Sequence, residues 1–163
     1  MKHLPTLCLA CLIMLPAHGA RRVGEAEVRA GANGVPCFTI AQREEERGGA
    51  PDFASITVTA SQGKLPLWRM ALPPQRTFPV AFSMCVPYGG RIPALPQTPA
   101  AALNAGEPYT VVIDTRPGKN GARPLRYQAR FCLLRKSSGS VIHRIGPGDR
   151  AGRFMYGCLA AGS

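Results

Sequence analysis

The sequence predicts an all-β domain, an antiparallel β-sandwich of Ig-like layout with about eight or nine short strands. Three observations carry this. Several stretches alternate apolar and polar residues with period two, the pattern of a half-buried strand. Glycine (18) and proline (16) are plentiful in the 163 residues and cluster between those stretches, where they mark turns. Four of the six cysteines, Cys37, Cys85, Cys132 and Cys158, sit within or beside the alternating stretches. An even count of that kind implies disulfides in an exported chain.

Export is predicted by the start of the chain, MKHLPTLCLACLIMLPAHGARR. Lys2 gives a short positive region, and residues 4–16 form an apolar stretch of secretory length. Ala17-His18-Gly19 then supplies small residues for cleavage after Gly19. A membrane-spanning helix needs about 20 apolar residues, more than this run holds. Residues 1–19 are therefore expected to be a signal peptide, and residues 20–163 a single periplasmic domain long enough for its own core. A lipoprotein signal is the alternative. Ala10 precedes Cys11 as in a lipobox, and lipidation of Cys11 would anchor the protein to a membrane.

The elements follow in order. GEAEVR (24–29) predicts a first edge strand. VPCFTIA (35–41) predicts a strand with Phe38 and Ile40 on one face and Cys37 and Thr39 on the other. REEERGGAP (43–51) reads as a solvated, charged loop. FASITVTA (53–60) alternates cleanly after its first residue, and LPLWRMA (65–71) carries Trp68, a core residue by type. A Pro-rich connection (72–79) leads into a strand over VAFSMCV (80–86). Residues 88–107 form a long loop whose prolines disfavour a long helix. Residues 107–115 and 125–134 predict a hairpin, with the basic loop RPGKNGARP (116–124) at its tip. In the second arm Leu125, Tyr127, Ala129, Phe131 and Leu133 face inward, and Arg126, Gln128 and Arg130 outward. SVIHRIG (140–146) and RFMYGCLA (153–160) close the domain, and no stretch makes a convincing helix.

The chemistry-bearing residues point away from catalysis. No mature cysteine pair has C-x-x-C spacing, and His143 is the one histidine after residue 19. That pattern predicts no metal site, no cofactor and no thiol with a neighbouring base. Neither a G-x-S-x-G nor an H-E-x-x-H motif occurs, and the lone GKN at 118–120 lacks a phosphate-loop frame. Asp114 with His143 is an acid/base pair that only the fold could assemble. The cysteines are therefore read as staples. Cys37 and Cys85 lie on early strands and Cys132 and Cys158 on late ones, so the expected pairs are Cys37–Cys85 and Cys132–Cys158.

The formal charge is +11 and rests mainly on arginine. Compositional bias and solubility account for such a charge; so does attraction to an anionic envelope surface or an acidic protein. The arginines are scattered and no nucleic-acid-binding motif occurs, so nucleic acid is not an expected partner. Arg116, Lys119 and Arg123, together in the basic loop, are the candidate partner-binding residues.

PCFTI (36–40), MCVPYGG (84–90), PYTVVI (108–113) and RYQARFCL (126–133) resemble the motifs of small exported β-proteins known as type VI secretion immunity periplasmic lipoproteins. The resemblance covers most of residues 20–163. It implies a non-enzymatic binding protein that neutralises a secreted antibacterial toxin in the periplasm. It also implies a lipobox cysteine at the end of the signal, where this chain carries AHGA. The reading that stands beside it is another periplasmic or envelope module, structural or binding.

Overall fold

The computed structural model describes residues 22–92, 95–117, 123–137, 139–149 and 157–158. The expected signal segment with Cys11, Lys119, and most of the expected strand 153–160 lie outside them. The described part is mostly β. Its strands are β1 (Gly24–Ala30), β2 (Pro36–Ile40), β3 (Phe53–Ala60), β4 (Pro66–Ala71), β5 (Val86–Pro87), β6 (Tyr109–Thr115), β7 (Arg126–Lys136) and β8 (Gly139–Ile145), with one short α-helix, α1 (Gln42–Gly48), and a 3-10 turn at Ala32–Gly34. They form one hydrogen-bonded path in the order β4-β3-β6-β7-β1-β2-β5, and β8 also pairs with β7.

The expected hairpin is present. β6 and β7 pair antiparallel, with Val111 opposite Ala129 and Ile113 opposite Tyr127, and the alternating inward residues of β7 are buried. In β3 a register shift between Phe53 and Ser55 moves Phe53 into phase with Ile56 and Val58. All three are buried, which explains why the alternation starts only after the first residue. In β4, Met70 and Trp68 stand opposite Ile56 and Val58 and are buried with them, and a second shift follows between Val58 and Thr59.

The sheet curls until its ends meet. Segment 96–101 runs along β4, with the amide of Ala71 donating to Pro96, Thr98 to Arg69 and Ala101 to Leu67. Just beyond β5, at the opposite end of the path, the Tyr88 hydroxyl donates to the Ala101 carbonyl at 2.7 Å. Inside the curl, Phe38 lies 6.4 Å from Trp68 and 5.6 Å from Phe131, ring centre to ring centre, and Tyr88 lies 5.5 Å from Trp68. Each such ring contributes about 1.5–3 kcal/mol by burial alone.

Four expectations are corrected. β1 is not an edge strand but lies between β2 and β7. Its pairing with β7 is parallel, Gly24 beside Tyr127 and Glu25 beside Gln128, so the sheet is mixed and not purely antiparallel. Residues 42–48 are helical and not a loop. Glu44 and Glu45 sit in the first turn and Arg47 in the last, matching the helix dipole. Gln42 donates to Glu46 one turn on, and Gly49 ends the helix with φ +71°. Finally, residues 80–85 are not a strand, and only Val86–Pro87 pairs with β2. Side chains satisfy that backbone instead: the Thr39 hydroxyl donates to the Ala81 carbonyl and the Glu45 carboxylate accepts the Phe82 amide. The segment therefore covers the outer face of β2, which is why all five β2 residues are buried.

Candidate functional site

The most distinctive feature lies where the sheet divides. Along one edge, β7 pairs with β6. Along the other, it pairs with β1 at Tyr127 and Gln128, then with β8 from Arg130 onward. β1 and β8 separate at this fork, and α1 packs nearby. The result is a cleft of about 650 Å³, lined by the start of β1, the middle of β7, the end of β8 and one side of α1. That volume suits a small molecule or a short peptide segment.

Five arginines line the cleft, Arg22, Arg43, Arg47, Arg130 and Arg144, against two glutamates, Glu25 and Glu44. The glutamates point inward. Glu44 is 4% exposed and Glu25 24%, whereas Arg22, Arg43, Arg47 and Arg144 are 44%, 67%, 61% and 41% exposed. Solvent therefore meets guanidinium groups with an excess of positive charge.

The two carboxylates are held differently. Glu44 forms a two-pronged pair with Arg22, both contacts 2.8 Å, and it accepts the Glu25 amide at 3.4 Å. Such planar pairing is the strong form of an arginine–carboxylate contact. The hydrogen bond from Arg22 holds the Glu44 carboxyl below its ordinary range. Burial opposes this, and the charges of Arg22, Arg47 and Arg43 reinforce it. Glu25 instead pairs with arginines from two separate elements, Arg43 of α1 and Arg144 of β8.

The residues singled out in the sequence lie elsewhere. Cys37 is bonded to Cys85 and Cys132 to Cys158, with Cα atoms 5.3 and 5.7 Å apart. The first bridge ties segment 80–85 to β2, and the second ties the end of the described chain to β7. Arg116 is turned into the protein: it pairs with Asp52 at 3.3 Å and donates to the carbonyls of Leu72, Pro73 and Arg76. Arg123 donates to the Ala50 carbonyl at 2.9 Å, beside Gly48 and Gly49. Both guanidinium groups thus fasten neighbouring loops. Asp114 pairs with Arg126 and accepts from Ser55, while His143 lies opposite Cys132, further along β7. The two are not brought together.

The cleft arginines carry one local sequence signal. Arg43 and Arg47 are four residues apart, the spacing that aligns side chains on a helix, and it is visible only once residues 42–48 are known to be helical. Among the described residues no helix is long and apolar enough to cross a membrane, and no three His, Cys, Asp or Glu side chains gather as metal ligands. The chain matches no family model, no curated protein and no solved structure.

Proposed function

We propose that the protein is an exported, non-enzymatic binding protein that neutralises a secreted antibacterial toxin by taking an acidic part of it into the arginine-lined cleft. The observation that carries this reading is the cleft itself: half-exposed guanidinium groups ring two inward carboxylates. A positive concave surface of this kind speeds encounter with an acidic partner and selects against basic ones. The resemblance of PCFTI, MCVPYGG, PYTVVI and RYQARFCL to periplasmic immunity lipoproteins supports the toxin as the partner. Two disulfides suit the oxidising compartment in which such a protein works. We read the curled sheet as a sandwich-like frame that keeps the cleft rigid. In this reading the cleft, and not the 116–124 loop, is the main contact surface, because Arg116 and Arg123 are occupied by backbone carbonyls.

The test is binding to the toxin encoded beside the gene, measured by calorimetry at low and high salt. Arg43→Ser with Arg47→Ser should weaken binding and flatten its salt dependence, and cells carrying that variant should lose protection. Unchanged affinity and full protection would refute the reading. The overall charge of +11 favours a second reading, an envelope module drawn to anionic surfaces. Binding to anionic vesicles that ignores the cleft substitutions would favour it.

A further inference from the structure

We infer that Glu25 is a built-in stand-in for a carboxylate of the partner, and that an acidic peptide segment binds by taking its place between Arg43 and Arg144. This rests on the cleft being the partner site. Two features of the pairing set Glu25 apart from Glu44. Glu44 is deeply buried and held in a fixed two-pronged geometry by Arg22, so it belongs to the frame. Glu25 is less buried, and its two arginines come from elements on different sides of the cleft, α1 and β8.

Each of those guanidinium groups carries five N–H donors. Among the described residues Arg43 and Arg144 make one ion pair each, both to Glu25. The remaining donors of these two partly exposed side chains, 67% and 41% exposed, are therefore open to a second acceptor. Arg47, one helical turn from Arg43 and 3.9 Å from Glu44, adds a third loosely engaged cation on the same side. The arrangement already binds a carboxylate between two planar forks, which matches Asp and Glu side chains in shape and charge. An incoming carboxylate meets repulsion from Glu25 until that side chain swings out. Glu25 thus holds the arginines in place in the free protein and weakens capture of anything less acidic than the right partner, a form of selection by competition.

The probe is a peptide of four glutamates, titrated into the purified protein by calorimetry at low salt, with inorganic phosphate as a second arm. Glu25→Gln keeps the shape of the side chain and removes its charge. It should tighten peptide binding about five-fold, the upper range for a half-exposed ion pair, and steepen the salt dependence. Arg43→Ser with Arg144→Ser should abolish binding. Should Glu25→Gln lower the melting temperature, Arg144→Lys provides the second measure. It keeps the charge but loses the planar fork, and peptide affinity should fall. Equal affinities for wild type and Glu25→Gln overturn the inference, as does binding that survives the double arginine variant. Phosphate binding tighter than the peptide also overturns it and reassigns the cleft to phosphate groups. No toxin enters these titrations, so a Glu25→Gln gain in a protein that does not bind the neighbouring toxin would keep this inference and remove the toxin.

Discussion

The guanidinium of Arg116 reaches 3.3 Å from the Oδ2 of Asp52: Asp52 just precedes β3, Arg116 just follows β6, and the antiparallel pairing of Phe53 with Thr115 brings those two ends together. Asp52 also accepts the Phe78 amide at 2.8 Å, and its carbonyl accepts the Arg116 amide at 2.9 Å. Together with the Leu72, Pro73 and Arg76 carbonyls, the pair locks the Pro-rich 72–79 connection to the end of β6. Arg116→Ala should cost about 2–3 kcal/mol, because it removes a charged donor from several acceptors at once. Arg123→Ser, which loses one carbonyl contact, should cost about 1 kcal/mol. Urea titration of each variant measures this. Unchanged midpoints would mean that neither residue fastens its loop.

Glu44 makes stability depend on pH in a definite direction. Its carboxyl titrates below the ordinary value of 4.5 because Arg22 donates to the ionised form. A depressed folded-state pKa gives stability that is fully present above the unfolded value and lost as pH falls through the folded one. The loss should therefore begin below about pH 4.5 and continue downward. Glu44→Gln should lower stability at neutral pH by about 1–3 kcal/mol, toward the low end because Arg22 is half exposed and can rehydrate. It should also flatten the acid limb of a stability–pH curve. A variant curve parallel to that of the wild type below pH 4.5 would contradict the assignment.

Gly24 is required by a close approach. A Cβ there would lie 2.5 Å from Cδ1 and 2.6 Å from Cε1 of Tyr127, whose ring is buried. Gly24→Ala should destabilise by about 1–3 kcal/mol through overpacking. Tyr127→Phe should not relieve it, since the ring and not the hydroxyl is in the way, whereas Tyr127→Leu should relieve part of it. Thermal melts of the single and double variants provide the double-mutant cycle.

The disulfides should be complete and unequal in reach. Peptide mapping under non-reducing conditions should return Cys37 with Cys85 and Cys132 with Cys158, and no free thiol among them. Replacing Cys37 and Cys85 by alanine should cost roughly 3–4 kcal/mol on chain-entropy grounds. The bridge spans 48 residues, against 26 for the other, so its removal should be slightly the more damaging. A larger effect from removing Cys132–Cys158 would show that local packing outweighs loop length.

Local pattern made much of this fold readable. β3, β4 and the β6–β7 hairpin follow from alternation and turn residues, because neighbours in the chain are neighbours in the sheet. What pattern hides is pairing at a distance. Nothing in GEAEVR says that it enters beside Tyr127, since a strand covered on both edges can look like one covered on a single edge. The run REEER reads as solvated because charge usually means water, yet Glu44 is buried against Arg22. In VAFSMCV the alternation is genuine but idle, because Thr39 and Glu45 capture the backbone groups that a ladder would have used. The cleft was the least readable part. Its arginines come from the start of β1, the middle of β7, the end of β8 and α1, and only the fork gathers them.

The position of β1 also governs the order of assembly. A chain made or threaded from its N-terminus delivers β1 first, but Gly24 has no partner in β7 until Tyr127 arrives. Until then β1 and β2 have only each other and, once it is made, the two-residue β5 to pair with, and so small a sheet is marginal in water. The apolar faces of Ala26, Val28, Phe38 and Ile40, all buried in the finished protein, stay uncovered for most of that interval. Non-local closure of this kind is slow and exposes the chain to aggregation while it waits. Nascent chains truncated before residue 126 should therefore remain protease-sensitive throughout, and resistance should appear in one step once β7 is complete.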